Sequence, residues 1–254
     1  MTASRIFWLA AALAAIAAAA GAQTPAATIP STPGADLAAM PPVMDQGIYA
    51  HAIFNQLEGR WNGSNPEFRW AGQGWAGTDY DKLWIKSEGT LSKGAVGDGQ
   101  QQFLYSRAVT TYFDLQGGLR SDIDSRPTRN WAAFGIQGLA PYFFDLEVTG
   151  FVSGEGHLAA KLEASYDLLL TQRLILQPQV ELNIYGKGDP ARLVGAGFSD
   201  IDTGLRLRYE FSRKFAPYIG VVYQGKFGQT ANFARQAGES TGDVRFAFGV
   251  RVWF

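Results

Sequence analysis

Arg173-Leu174-Ile175-Leu176-Gln177-Pro178-Gln179-Val180-Glu181-Leu182-Asn183-Ile184-Tyr185 sets apolar side chains at Leu174, Leu176, Val180, Leu182 and Ile184 against polar ones at Gln177, Gln179, Glu181 and Asn183. A period of two describes a β-strand with one oily face and one wet face. The pattern returns in Ile201 to Phe211, with Asp202, Arg206, Arg208 and Glu210 on the wet face. It returns again in Val244 to Phe254, with Arg245 and Arg251 there. One such strand fits any half-buried sheet. A chain composed of them, with charges on the wet faces, has the pattern of an outer-membrane β-barrel. An open sheet would leave unpaired backbone groups in hydrocarbon, so a spanning sheet must close. A soluble sandwich would bury its oily faces against each other and predicts no alternation of loop lengths.

Working outward, Ile48 to Arg60, Glu67 to Ala76, Tyr80 to Thr90, Gln101 to Ala108 and Tyr112 to Asp122 read as strands. So do the weakly patterned Trp131 to Leu139, then Tyr142 to Val152, His157 to Leu168 and Pro217 to Phe227. The expected fold is all-β, a transmembrane antiparallel up-and-down β-barrel of about twelve strands. Connections are tight around Gly77 to Asp79, Val109 to Thr111, Ala140 to Pro141 and Thr171 to Gln172. They are long at Ser121 to Arg129, Gly186 to Ser199 and Gly228 to Gly242. Short periplasmic turns and long external loops are usual in such barrels. An even strand count then returns the C-terminal Phe254 to the periplasmic side.

Ile6 to Gly21 is the one continuous apolar run. With Arg5 before it and Ala20-Gly21-Ala22 after it, residues 1–22 read as a secretory signal peptide, too short for a spanning helix. Residues 23–46 carry Pro25, Pro30, Pro33, Pro41 and Pro42 with no period, and read as a disordered periplasmic extension. Residues 47–254 remain as the barrel. The chain has no cysteine, which excludes disulfides and thiolate metal sites. A net charge of -1 gives no reason to expect nucleic acid as a partner. The expected surroundings are outer-membrane lipid, and 30 glycines with 13% aromatics suit tight strands and interface girdles.

The wet faces carry both signs of charge. Glu58, Arg60, Arg69, Lys82, Lys86 and Glu88 are expected inside from the first three strands, and Tyr105, Arg107, Asp114, Gln116 and Arg120 from the next two. Asp145, Glu147, Lys161, Glu163, Glu181, Arg206, Arg208 and Glu210 follow. A near-balanced set in a narrow tube should pair into a network, and breaking one partner of a buried pair costs roughly 3–5 kcal/mol. The lumen is therefore expected to be largely plugged, which does not exclude a polar path for a small ion or solute.

Catalytic constellations are poor. Ser153 lies four residues before His157, and Ser165 shares its strand, but neither has the spacing that aligns a nucleophile and base on one strand face. Gly72-Gln73-Gly74 is strand glycine, not a nucleotide fingerprint. No catalytic residue is expected, and lipid hydrolysis and general diffusion stand as alternatives. Thioether and imidazole suit Cu(I), and imidazole with carboxylate suits Cu(II). Met40, Met44 and His51, with Asp45 between, form the candidate metal set at the periplasmic mouth. By strand parity His51 faces out near the rim, unless the first strand starts late or bulges.

Met44-Asp45, His51 and Phe54-Asn55-Gln56-Leu57-Glu58-Gly59-Arg60 resemble the start of the copper resistance protein B family. Asp79 to Gly89, Leu104-Tyr105-Ser106-Arg107, Gly135 to Tyr142, Tyr166 to Gln177, Leu182 to Arg192 and Gly204 to Phe233 extend the resemblance across Asp45 to Phe254. It implies a non-enzymatic barrel in the outer membrane of a Gram-negative bacterium that serves copper tolerance. Such a barrel would bind or pass copper ions and work beside a periplasmic multicopper oxidase. The family often carries a Met/His-rich N-terminal extension. Here Met40 and Met44 are the only methionines after the initiator and no histidine precedes His51, so lumen carboxylates and His51 remain as further candidates.

Overall fold

In the computed structural model, residues 47–63, 65–124 and 128–254 are described. The expected signal peptide and extension, with Met40 and Met44, lie outside them. Every stretch with a two-residue period forms a strand: β1 (Tyr49–Trp61), β2 (Glu67–Gly77), β3 (Asp81–Ser92), β4 (Ala95–Ala108), β5 (Phe113–Asp122), β6 (Asn130–Ala140) and β7 (Phe144–Ser153). Then come β8 (Leu158–Ser165), β9 (Leu168–Leu169), β10 (Leu174–Tyr185), β11 (Gly197–Tyr209), β12 (Phe215–Lys226) and β13 (Gly242–Trp253). The two residues of β9 continue β8 beyond a break and pair with the same neighbour, β10. The thirteen segments therefore make twelve staves. Each stave pairs antiparallel with the next, and β13 pairs with β1, so the sheet closes into a barrel without an edge.

The oily faces point outward. Phe103, Leu119, Phe134, Ile219, Phe246 and Phe248 are all more than half exposed, a distribution that only lipid makes favourable. The outer surface is levelled by aromatic rings lying over glycines. A Cβ added at Gly72 would stand 2.7 Å from the ring of Phe54, its partner across β1 and β2. Tight turns and both ends of the described chain lie at one rim and the longer loops at the other. At the long-loop rim the β3–β4 connection is a two-residue hairpin. Lys93 and Gly94 both take positive φ there, 51° and 77°, as the twist of a tight hairpin requires.

Two local departures from simple alternation matter for the lumen. The pairing of β1 with β2 shifts register between Phe54 and Gln56, so Asn55 is an extra residue in β1. Glu58 and Arg60 point inward above this bulge, and His51, opposite the inward Trp75, points inward below it. In β4 the expected inward placement of Tyr105 and Arg107 is incorrect. Leu104 and Ser106 are buried on the inner face, while Phe103, Tyr105 and Arg107 are exposed on the outer one. The Tyr105 hydroxyl donates to Asp81 at 2.5 Å near the turn-side rim, where an aromatic tip and a long cation reach the headgroup level.

The inner wall of β4 to β7 is not wholly polar. Leu104, Trp131, Ala133 and Phe151 form a small buried cluster inside the barrel, with Trp84 and Ala159 packed against it. One helix, α1 (Gly228–Gln236), stands in the β12–β13 connection, which was expected to be loop. The Thr230 hydroxyl on it accepts from the Gly195 amide at 2.8 Å and lies 3.0 Å from the Ser199 hydroxyl, tying the two longest loops together.

Candidate functional site in the barrel lumen

At the long-loop rim the lumen opens into a cavity of about 670 Å³. Its wall is stapled by arginines. Arg129 bonds Asp189 at 2.5 Å and Glu155 at 3.0 Å, while Arg192 bridges Asp122 at 3.2 Å and Asp124. Burial pushes the Asp189 carboxyl up, but the hydrogen bond and charge of Arg129 outweigh it and hold the group below the usual carboxylate range. Below this, Arg120 lies over the ring of Phe151 at 4.6 Å, and the Trp131 indole donates to Asp122 at 2.9 Å.

The middle of the bore is crossed by ion pairs. Glu58, 0% exposed, accepts from Arg60 at 2.7 Å, from Arg206 twice at 2.9 Å, and from the Tyr218 hydroxyl at 2.9 Å. Arg60 reaches on to Asp202 at 2.5 Å. Arg69 of β2 bonds Glu181 of β10 at 2.7 Å, and Lys161 of β8 bonds Glu88 of β3 at 2.5 Å. Staves β3 and β8 are five apart in a barrel of twelve, so the Lys161–Glu88 contact spans the bore. Lys161 also lies 3.4 Å from Glu163 and 3.6 Å from Glu181. A neighbouring knot joins Lys86 to Glu147 and Gln137, each at 2.8 Å, and to Gln116 at 3.1 Å. Charge-assisted bonds of this kind keep each ion solvated by its partners after water is removed.

Toward the tight-turn rim, Lys82 pairs with Asp114 at 3.2 Å and Arg208 with Asp167 at 2.7 Å. His51 sits there among indoles, its ring centroid 5.4 Å from that of Trp253 and 6.3 Å from that of Trp75, and Trp75 lies 6.2 Å from Trp84. Of the expected metal set, His51 is therefore on the inner face at the periplasmic mouth, a position the bulge at Asn55 creates. Met40 and Met44 are outside the described residues.

Among the described residues the side chains of Ser153 and His157 are not paired with each other. The Ser153 hydroxyl accepts from the Glu155 amide at 3.2 Å on the inner face, and His157 lies 3.9 Å from Glu155. The expected pairing of the lumen charges is present. What residue-by-residue reading missed is the grouping: Glu88, Glu163 and Glu181 converge so that their carboxylate oxygens lie within 4.8 Å of one another. Glu163 and Glu181 face each other on the neighbouring staves β8 and β10, and Glu88 meets them from β3 across the bore, a grouping that register and closure create.

Comparison with known proteins agrees with this architecture. The family model described as "Copper resistance protein B precursor" matches residues 48–254. The chain is 43% identical over 212 residues to copper resistance protein B of Escherichia coli, covering 84% of this chain and 72% of that one. It is 42% identical, with the same coverage, to the copper resistance protein B homolog of Pseudomonas syringae pv. tomato. Among solved structures the NanC porin superposes with a TM-score of 0.51 at 12% identity, over 80% of this chain and 98% of that one, a likeness of fold. A closed, lipid-faced barrel of twelve staves that matches this family along its whole described length is an outer-membrane protein, and the chain belongs to the copper resistance protein B family.

Proposed function

We propose that this protein serves copper resistance as a non-enzymatic barrel that binds copper ions and passes them across the outer membrane. The observation that carries this reading is the lumen itself. It is polar, rich in carboxylates from the long-loop cavity to the periplasmic mouth, and too crossed by ion pairs to admit bulky solutes. The copper-collecting set proposed is Met40, Met44 and His51, of which His51 lies at the mouth with the indoles of Trp75 and Trp253 around an inward imidazole. A periplasmic multicopper oxidase is the partner that would exchange copper with this mouth. A general diffusion porin fits less well, because side chains from opposite walls meet in mid-bore.

The test is survival and cell-associated copper in cells with and without the protein. A change in copper tolerance and content is expected; a change only for unrelated solutes contradicts the reading. Titration of the refolded chain with Cu(I) and Cu(II), with and without residues 23–46 and with His51→Ala, assigns the collecting set.

A further inference from the structure

We propose that Glu88, Glu163 and Glu181 form a binding site for a divalent cation of the Cu(II) type, with the Lys161 ammonium as a tethered occupant that an entering ion displaces. This rests on the reading that the barrel handles copper and names the oxidation state it takes. The carboxylate oxygens of the three glutamates lie within 4.8 Å of one another. The Lys161 ammonium is held among them at 2.5, 3.4 and 3.6 Å, where a cation of the protein's own stands in for a free one.

A second observation points to a further ligand on β4, the strand beside Glu88. The side-chain oxygen of Gln102, a residue only 3% exposed, is buried and accepts no hydrogen bond among the described residues. Gln102 lines the same void as Glu88, Lys161 and Glu163, a space of about 40 Å³ that also meets Asn55 and Glu147. A buried neutral oxygen without a donor, on a residue that lines the same void as two of the glutamates, is suited to serve as a further cation ligand. Orphaned acceptors are otherwise costly to bury.

Charge agrees with valence. The single Lys161 ammonium is shared by three carboxylates, Glu88, Glu163 and Glu181, so a divalent ion in its place matches the cluster better than a monovalent one. Lysine suits this role, since its point charge rides on a flexible stem, whereas an arginine fork would be locked to its carboxylates. Donor type agrees as well. The site offers oxygen only, and the described residues contain no methionine or cysteine, with imidazoles only at the two ends. Such a bore suits Cu(II) and gives Cu(I) no soft ligand in its middle section.

The experiment uses the full chain folded in detergent, with Cu(II) as the probe and electron paramagnetic resonance as the readout. Lys161→Met removes the ammonium and keeps the stem. It should raise Cu(II) affinity by about tenfold or more. The new signal should be all-oxygen, without the nitrogen couplings that His51 or His157 would add, and adding Glu163→Gln should abolish it. Ag(I), a soft monovalent probe, should gain nothing. A folded Lys161→Met chain that binds Cu(II) no better than the parent overturns the proposal and leaves the void as a place for water.

If that variant does not fold, Glu163→Gln with Lys161 intact decides. Cu(II) entry into proteoliposomes should fall by about tenfold, and unchanged entry overturns the site. The two readings fail separately. Oxygen-ligated Cu(II) in Lys161→Met, with no Cu(II) movement through the parent, keeps the site and removes copper passage.

Discussion

Glu58 is the residue on which the mid-bore network converges, since one fully buried carboxylate satisfies two arginines and a tyrosine. Glu58→Ala would leave Arg60 and Arg206 buried with less compensation, a loss of roughly 3–5 kcal/mol. Urea unfolding of the detergent-folded chain should show that drop, and an unchanged midpoint would mean that water replaces the carboxylate. Asp189 carries a pH dependence. Its folded pKa lies below that of the unfolded chain, so the stabilisation is complete above about pH 4, the ordinary Asp range, and fades as pH falls through the folded value. Hydrogen exchange of residues 186–196 should therefore quicken on acidification below that range and stay flat above it, and Asp189→Asn should remove the dependence. Single residues were partly legible. The balanced charges of the wet faces foretold pairing, but Tyr105 and Arg107 were assigned to the wrong face. Gln101, Gln102, Tyr105, Ser106 and Arg107 put polar groups on both faces of β4, and parity alone has nothing there to choose between them.

At the scale of elements, the two-residue period reveals most staves, because lipid on one side and ions on the other punish any other pattern, and it is weak in β6 and ambiguous in β4. Sequence parity leaves a bulge in the first strand open but cannot place it at Asn55, since one inserted residue costs the strand little and leaves no compositional mark. It decides where His51 points. Deleting Asn55 should turn residues 49–54 over and carry His51 to the lipid face. Modification of His51 by a water-soluble imidazole reagent should then be lost while that of His157 persists; retained modification of His51 would show that the strand slides instead. Helix α1 was read as loop because Gly228 to Gln236 has no long apolar period. Its support is tertiary, through Thr230 to Gly195 and Ser199. Thr230→Val should cost about 0.5–1.5 kcal/mol per lost bond, seen as faster exchange across 228–236 with the rest of the barrel unaffected.

For the whole molecule, closure follows from the need to pair every backbone group in lipid, and β13 meeting β1 meets it. The folded chain should consequently migrate differently on gels before and after boiling, whereas identical migration would argue against a closed barrel. Closure also brings Glu88 of β3 across the bore to Lys161 and Glu163 of β8 and their neighbour Glu181 of β10, a convergence that depends on register and so is invisible in a linear reading. A lumen crossed from wall to wall by ion pairs should be closed to neutral solutes and open only to ions that compete for its carboxylates. The most direct test is to compare entry of Cu(II) and of a small neutral sugar into proteoliposomes containing the full chain. Copper entry without sugar-driven swelling is the expected result; swelling at porin-like rates, or no copper entry at all, would contradict it.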